Sequence, residues 1–250
     1  MPAPDLTIVV PVFNERPTVL KVVDRLLALD FPVEGLELLL VDDGSTDGTR
    51  ELLGGRDWPA DVRVVLHPEN RGKGAAIRTG IAQARGRYLA IADADLELDV
   101  VDLVEVVRPL ALGETDAAYG ARRFERRTPR KVRYWVGNLG VTTAMNLAFG
   151  SSLSDIMTAF KAVRTDILRA IPLVEEGFGI EPEITAALLA RGVSILEVPI
   201  RYEPRARADG KKLTMLDGFR VLRTIARCRR RTSAYRAPLP VDERSLERTA

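Results

Sequence analysis

Over its first 120 residues the chain switches repeatedly between two hydrophobic periods, and that alternation restricts the fold more than any other feature. Leu6–Val12 is a continuous β-rich apolar run. Pro17 stands where a helix would begin, and Val19, Leu20, Val22, Val23, Leu26 and Leu27 follow at helical spacing. Leu36–Val41, Arg63–Leu66, Tyr88–Ala92 and Ala117–Gly120 read as further strands, with helices over Thr46–Leu53, Ala75–Ala84 and Asp99–Leu110 between them. This order predicts an α/β fold with a mostly parallel central sheet flanked by helices on both faces. In such sheets ligands sit outside the carboxyl ends of the strands. The chemistry is therefore sought at Asn14–Glu15, Asp42–Thr49 and Asp93–Asp99.

The second half is less regular. Val132–Phe149 reads as a helix interrupted by Asn138 and Asn146, Thr158–Val163 as a strand, Ile180–Ala190 as a helix, Val193–Ile200 as a strand and Leu213–Arg231 as a helix. No repeat and no long linker divides the chain. The expectation is one domain over residues 1–231, followed by a polar, disordered tail over 232–250.

Composition removes several function classes. A hydrophobic fraction of 46% excludes wholesale disorder. With 37 basic and 35 acidic residues the net charge is +2, which argues against a generic nucleic-acid binder and predicts no nucleic-acid partner. Cys228 is the sole cysteine and His67 the sole histidine, so an intrachain disulfide and a thiolate- or histidine-rich metal site are unavailable. A reducing, cytoplasmic setting is expected. Leu6–Phe13, about 8 apolar residues against the roughly 20 of a spanning helix, is too short to cross a bilayer. It also lacks the basic lead-in of a secretory signal.

Charge is unevenly spread. Arg122–Tyr134 carries seven basic residues and one acid, and Arg201–Arg236 carries twelve and three, which leaves an acidic body. These stretches are either solvated faces or sites for an anionic partner, meaning phosphates or an acidic lipid surface. Leu213–Arg231 presents Leu213, Leu216, Phe219, Val221, Leu222 and Ile225 among arginines. It reads either as an amphipathic helix packed on the domain or as one lying at the cytoplasmic face of a membrane.

Three segments carry candidate chemistry. In Val41–Thr49, adjacent Asp42 and Asp43 at a strand end point in different directions, so one can face a ligand while the other caps structure; Ser45 or Asp47 can equally cap the next helix. In Asp93-Ala94-Asp95-Leu96-Glu97, strand alternation puts Asp93 and Asp95 on one face with Glu97 in reach. Such hard oxygen donors suit Mg²⁺ or Mn²⁺ bridging to a diphosphate. An acid-rich helix start is the alternative; it accounts for Glu97 and Asp99 but poorly for Asp93, which ends a buried strand. In Asn70–Gly74 the P-loop spacing is absent, but Gly72 and Gly74 permit close backbone approach to an anion. His67 reads as a surface or strand-end histidine rather than a base. No Gly-x-Gly-x-x-Gly follows the first strand and no Gly-x-Ser-x-Gly occurs, which disfavours a dinucleotide oxidoreductase and a serine hydrolase.

Ile8-Val9-Val10-Pro11-Val12-Phe13-Asn14-Glu15, Val41-Asp42-Asp43-Gly44-Ser45-Thr46-Asp47 and Asp93-Ala94-Asp95 together resemble the inverting family 2 glycosyltransferases with a GT-A fold. Asp155-Ile156-Met157-Thr158-Ala159-Phe160-Lys161 and Glu197-Val198-Pro199-Ile200-Arg201-Tyr202-Glu203-Pro204-Arg205, with Asp209-Gly210-Lys211-Lys212, are similar to motifs of dolichol-phosphate mannosyltransferases and related polyprenyl-phosphate glycosyltransferases. The resemblance covers residues 6–225. It implies transfer of a sugar from a GDP- or UDP-linked donor to a polyprenyl phosphate. It also implies that Pro11, Phe13, Glu15 and Asp43, with Asp42 close by, line the nucleoside pocket, and that Lys73 and Ala94 adjoin the donor. Asp93, Asp95 and Glu97 should hold Mg²⁺ or Mn²⁺, Arg122 should meet a phosphate, and Arg205 and Lys212 should reach the diphosphate or lipid phosphate. The implied catalytic set is Asp95, Arg122, Asp155 and Arg205. Ala159 and Lys161 stand where Gly and Arg are frequent in relatives, Glu97 where Gln is, and Lys211 where Ser is; these departures bear on the sugar more than on the reaction. A phosphate acceptor is already ionised near neutral pH. A hydroxyl acceptor, as in polysaccharide or secondary-metabolite assembly, would need a base, for which Asp155 and Glu183 are the candidates. A non-catalytic nucleotide-sugar binding module is a further alternative, disfavoured by the intact Asp93 and Asp95.

Overall fold

The computed structural model describes residues 4–122, 129–202 and 215–236. In chain order the elements are β1 (Leu6–Val12), α1 (Val19–Leu27), β2 (Leu36–Asp42), α2 (Thr49–Gly54), β3 (Val62–Leu66), α3 (Lys73–Gln83), β4 (Tyr88–Ile91), α4 (Asp102–Ala111), β5 (Ala117–Arg122), α5 (Pro129–Phe149), β6 (Lys161–Arg164), α6 (Thr165–Arg169), α7 (Ile180–Ala190), β7 (Ile195–Ile200), α8 (Met215–Arg230) and α9 (Thr232–Tyr235). The expected α/β architecture is present. Seven strands form one sheet in the order β3-β2-β1-β4-β6-β5-β7. All neighbours are parallel except that β6 runs antiparallel to both β4 and β5.

The unbroken apolar runs follow from burial on both faces. Along β1 and β2, Val9, Leu39 and Val41 point into a core shared with α3, α7 and α8, while Ile8, Val10, Leu38 and Leu40 point into a second core under α1 and α4. All seven are fully buried. Each such side chain contributes about 1.5–3 kcal/mol of burial free energy. The order reverses at β1, whose two neighbours, β2 and β4, continue the chain in opposite directions. The crevice at the carboxyl ends of β1, β2 and β4 is the place such a sheet offers a ligand.

Several element boundaries differ from the sequence expectation. Helix α2 begins at Thr49 rather than Thr46, because Ser45–Asp47 is spent on a turn in which Asp47 Oδ1 accepts the Thr49 N–H at 3.0 Å. Helix α3 begins at Lys73, two residues early. The Thr158–Val163 strand is shifted to Lys161–Arg164, and α6, only five residues long, is too short to leave a periodic signature. Asn138 and Asn146 do not interrupt α5. Asn146 instead braces the following loop, accepting from Leu153 N at 3.0 Å and Ser151 Oγ at 2.7 Å and donating to Leu153 O at 2.8 Å. The tail is not disordered from its start: α9 docks Tyr235, fully buried, against α7, whereas residues 237–250 lie outside the described residues. Helix α8 divides its apolar residues. Val221 and Ile225 are buried against the domain, while Phe219 and Leu222 face outward; Leu213 lies outside the described residues. Among the described residues no helix is long and apolar enough to cross a membrane.

A buried polar knot ties the amino ends of these strands. Thr7 and Glu37, directly opposed on β1 and β2, share a 2.7 Å hydrogen bond, and Glu37 also accepts from Arg63 and from the Arg85 N–H. Burial opposes the charge on Glu37, but these donors outweigh it and hold the carboxyl below its usual range. Its folded value lies below its unfolded one, so its contribution to stability is complete above the ordinary glutamate range and is lost as pH falls through the lowered value. Glu37→Gln is expected to cost about 1.5–3 kcal/mol at pH 7. In paired urea titrations the difference from the parent should shrink towards pH 3; an equal difference at both pH values would contradict the assignment.

Candidate active site

A cavity of about 410 Å³ opens at the carboxyl ends of β1, β2 and β4, where the switch in strand order places it. Pro11 and Phe13 line it from β1 and its exit, Glu15 from the following turn, Asp43 from the end of β2, and Asp93, Ala94, Asp95 and Glu97 from the end of β4. Lys73 and Arg122 complete the expected residues that line it. Arg205 and Lys212 lie outside the described residues.

The polar residues of the first two motifs divide into two tasks. Asn14, at φ +53°, donates its N–H to Ser45 Oγ at 2.9 Å and accepts the Thr46 N–H at 2.8 Å. The Glu15 N–H reaches Thr49 Oγ1 at 3.1 Å. Thus Asn14, Ser45, Thr46 and Thr49 lace the β1 loop to the β2 loop, and Phe13, Glu15 and Asp43 beside them face the cavity. Asp42 is not at the cavity wall. It is fully buried, receives the Ser45 N–H at 3.3 Å and pairs with Arg50 at 3.5 Å. Asp43 faces the cavity but is heavily engaged: it accepts the Arg71 N–H at 3.0 Å and the Gly72 N–H at 2.6 Å, and His67 Nδ1 lies 2.8 Å away. His67 is therefore no surface histidine. It is buried and bridges Asp43 to Thr79 Oγ1, 2.9 Å from its Nε2.

Gly72 and Gly74 do permit a close approach, but to protein backbone rather than to an anion. A Cβ on Gly72 would stand 2.4 Å from Glu176 O, and Ala75 N–H donates to that same oxygen at 3.1 Å. At φ +98° Gly72 also occupies a conformation that side chains rarely adopt. Gly72→Ala is expected to cost about 2 kcal/mol in urea denaturation and to lower turnover by displacing the adjacent Lys73. Stability and turnover both at parental level would contradict this account.

Beneath the cavity runs a buried chain of alternating charge. Lys73 Nζ lies 2.7 Å from Asp93 Oδ1 and 2.9 Å from Glu181 Oε1. Lys161, without solvent exposure, pairs with the other oxygen of Glu181 and donates to Ile156 O at 3.2 Å and to Thr158 O. Burial disfavours the ammonium of Lys73, yet Asp93 and Glu181 outweigh it and raise its pKa. Burial likewise opposes ionisation of Glu181, but the two lysines hold its carboxyl below the usual range. Burial and the charges of Asp95 and Glu181 push Asp93 upward, against the pull of Lys73. Arg122, at the end of β5, forks onto Asp155 through Nε at 2.6 Å and Nη2 at 2.9 Å, and its guanidinium lies 5.0 Å from the Tyr202 ring centroid. The Asp155 loop is itself held by β7, where Glu197 accepts the N–H groups of Ser154 at 2.9 Å and Asp155 at 3.0 Å.

Residues 7–171 match the sequence profile described as glycosyl transferase family 2. The chain is a family 2 glycosyltransferase. Glycosyltransferase AglJ of Haloferax volcanii is 32% identical over 224 residues, covering 88% of this chain and 69% of that protein. Dodecaprenyl-phosphate galacturonate synthase of Rhizobium johnstonii is 36% identical over 69% of this chain, which spans only 51% of that longer protein. Dolichyl-phosphate beta-glucosyltransferase of Saccharomyces cerevisiae is 27% identical, covering 88% of this chain and 72% of that protein. Among solved structures, glucosyl-3-phosphoglycerate synthase of Mycobacterium tuberculosis in complex with UDP shares the fold at a TM-score of 0.68 and 23% identity, covering 90% of this chain and 80% of that one.

The glycosyltransferase does not gather Asp93, Asp95 and Glu97 as a three-carboxylate set. Among its described residues no group of three or more His, Cys, Asp or Glu side chains is arranged to hold a metal ion. The reason is local. Strand β4 ends at Ile91, so Asp93 and Asp95 are no longer on an alternating strand; Leu96, at φ +59°, then turns the chain, and Asp95 Oδ1 accepts the Glu97 N–H at 3.0 Å. The Glu97 charge instead favours the charged form of Arg122. Asp93 and Asp95 still fit a hard divalent ion, because one or two carboxylates with substrate phosphates make a common Mg²⁺ environment. The side chain of Asp93 is 29% exposed, so the cavity reaches it. Met157, Phe178, Glu181 and Tyr202 also line the cavity and were not anticipated. Glu181, two residues before the candidate base Glu183 on the same helix, was the nearest signal.

Proposed function

We propose that this glycosyltransferase moves a sugar, with inversion at the anomeric carbon, from a nucleoside-diphosphate sugar to a polyprenyl phosphate. The observation that carries the reading is the engagement of both carboxylates that could serve a hydroxyl acceptor as base. Asp155 is forked by Arg122. Glu183 does not line the cavity; it accepts from the N–H groups of Val174 at 3.0 Å and Glu175 at 2.8 Å, with Tyr235 and Arg231 at its other oxygen. Glu181, which does line the cavity, is clamped between Lys73 and Lys161. A site whose candidate bases are paired with cations suits an acceptor that arrives already ionised. The relatives named for dodecaprenyl and dolichyl phosphates support the same acceptor class.

In this reading Pro11, Phe13, Glu15 and Asp43 frame the nucleoside, with Asp43 and His67 fixing the 70–72 loop beneath it. Asp93 and Asp95 would hold Mg²⁺ or Mn²⁺, which supplies Lewis-acid stabilisation of the departing diphosphate. The same glucosyl-3-phosphoglycerate synthase, 22% identical to this chain, has also been crystallised with Mn²⁺, UDP and glucosyl-3-phosphoglycerate, which supports that assignment. The planar Arg122 guanidinium, held at the end of β5 by Asp155, is proposed to orient phosphate oxygens. Arg205 and Lys212 are proposed to add positive charge on the acceptor side. Excluding water from the cavity, Phe13, Met157 and Phe178 keep the activated sugar from hydrolysis.

A polyprenyl acceptor comes from a lipid surface. The outward residues Phe219 and Leu222 of α8, flanked by Arg220 and Arg223, are proposed to rest on an anionic leaflet, each cation contributing about 1 kcal/mol. Vesicles of anionic and of zwitterionic phospholipid separate this from a solvated helix: sedimentation only with the former is expected, and none with either removes the attachment. The function is tested by offering radiolabelled UDP- and GDP-sugars to undecaprenyl phosphate, dolichyl phosphate and soluble alcohols. Transfer to the lipid phosphates is expected; exclusive transfer to alcohols would favour the second acceptor class, with Asp155 freed to act as base.

A further inference from the structure

Lys73 occupies an unusual position for a residue beside a candidate cation ligand. It stands at the first residue of α3, fixed from below by the Gly72–Glu176 contact, and its ammonium spans two carboxylates at once: Asp93 Oδ1 at 2.7 Å, with Oδ2 at 3.1 Å, and Glu181 Oε1 at 2.9 Å. Both oxygens of Asp93 are thus covered by a single positive charge. Glu181 cannot follow Asp93 if the pair separates, because Lys161 and the carbonyls it binds hold Glu181 in place. An ammonium with two carboxylate anchors, one fixed and one open to the cavity, has somewhere to stay when the open anchor is taken.

We propose that Lys73 is a positioning residue that competes with the divalent cation for Asp93, yielding that carboxylate when the cation arrives and remaining on Glu181. The proposal rests on the reading of Asp93 as a cation ligand. Its physical content is that two positive groups cannot share the same pair of oxygens within contact distance without strong repulsion. Loading Asp93 with a cation therefore includes the cost of displacing Lys73. A nucleoside diphosphate relieves that cost twice, by adding oxygen ligands to the cation and by giving the displaced ammonium a new anionic partner. Cation and diphosphate then bind with positive coupling, and by linkage each tightens the other equally. A cation without nucleotide is held weakly, which keeps the site from filling with metal before the donor enters.

Two measurements test this, neither of them turnover. The first follows binding of Mn²⁺ to the purified full chain by electron paramagnetic resonance of the unbound ion, with and without UDP, for the parent, Lys73→Met and Lys73→Arg. Without UDP, Lys73→Met is expected to bind Mn²⁺ about tenfold tighter than the parent, the scale of one charge in contact with an acid, while Lys73→Arg stays near the parent. The tightening that UDP confers should be smaller in Lys73→Met. The second uses the parent alone, so it survives any folding defect of the variants: a crystal structure with Mn²⁺ and no nucleotide should show Lys73 Nζ more than about 4 Å from Asp93 and still on Glu181. Equal Mn²⁺ affinity in the parent and Lys73→Met, or Mn²⁺ bound to Asp93 with Lys73 still in contact, overturns the competition and leaves the cation site standing. Absence of Mn²⁺ binding in every variant, with and without UDP, overturns the competition together with the cation assignment.

Discussion

Asp95→Asn is expected to lower kcat/KM for the nucleotide sugar by about a thousandfold, the scale on which a group that stabilises transition-state charge is lost. The substitution is chosen because it spares the fold. Asp95 Oδ1 accepts the Glu97 N–H at 3.0 Å, and an asparagine carbonyl can accept the same bond, so the turn through Leu96 survives. What the amide loses is the anionic charge offered to a divalent ion. Thermal unfolding should stay within about 2 °C of the parent, since a kcal/mol shifts the midpoint of a domain this size by about that much. Undiminished turnover with saturating Mg²⁺ or Mn²⁺ would remove Asp95 from the site, and a large loss of stability would make the kinetic result uninterpretable as chemistry.

Arg122→Gln is expected to produce a double loss. Asp155 is 1% exposed; its oxygens accept the Arg122 and Met157 backbone N–H groups at 3.2 Å, and their cationic partner is the Arg122 guanidinium, through Nε and Nη2. Removing the guanidinium strands a buried carboxylate, which costs about 3–5 kcal/mol. It also removes the N–H groups proposed to orient a phosphate, with an expected fall in kcat of about a hundredfold. The two effects separate in the double variant Arg122→Gln/Asp155→Asn, where no uncompensated charge remains. Urea denaturation of the double variant should recover most of the lost stability, and its turnover should remain depressed. Recovery of both would reduce Arg122 to a structural partner of Asp155. Arg122→Lys is expected to restore neither fully, because an ammonium cannot match the planar fork on Asp155 or the stacking on Tyr202.

Those residues show how far the sequence could be read. Periodicity placed the first five strands because four of them are buried in the sheet and only the edge strand β3 is partly exposed, and Val9 alternating with Ile8 and Val10 is the pattern a doubly covered sheet leaves behind. The rule that ligands gather at strand carboxyl ends then pointed to the stretches holding Glu15, Asp43 and Asp93, which line the cavity, whereas Phe13 came only with the family resemblance. Asp42 and Asp43 were assigned opposite tasks by their alternation, but which of them capped the turn depended on where Ser45 and Arg50 fell. Glu97 does line the cavity with Asp93 and Asp95, but the strand alternation used to align the two aspartates had already ended at Ile91, and the left-handed turn at Leu96, which nothing in a leucine announces, sets where Glu97 falls. His67 and Glu181 were missed for a different reason. His67 follows β3, and only the parallel register Asp42↔Leu66 brings it beside Asp43. Glu181 meets Lys161 and Lys73 across 20 and 108 positions of chain, a distance no local spacing rule spans. The motif around Asp155 and the one beginning at Glu197 looked independent as sequences, although one binds the backbone of the other.

The reversed direction of β6 has a consequence for how such an enzyme can change. The cavity-lining loops after β1, β2 and β4 leave the ends of forward strands, so each is pinned at its start. A strand that runs backwards among them begins where its neighbours finish, as the pairing of Lys161 with Ile91 records. Residues 150–160 therefore reach the same rim by arriving at a strand rather than departing from one, and Met157 and Ala159 line the cavity from that direction. Exchanges at Met157 or Ala159 can reshape that wall of the cavity, whereas Asp155, Ile156 and Thr158, tied to Arg122 and Lys161, leave little room for change.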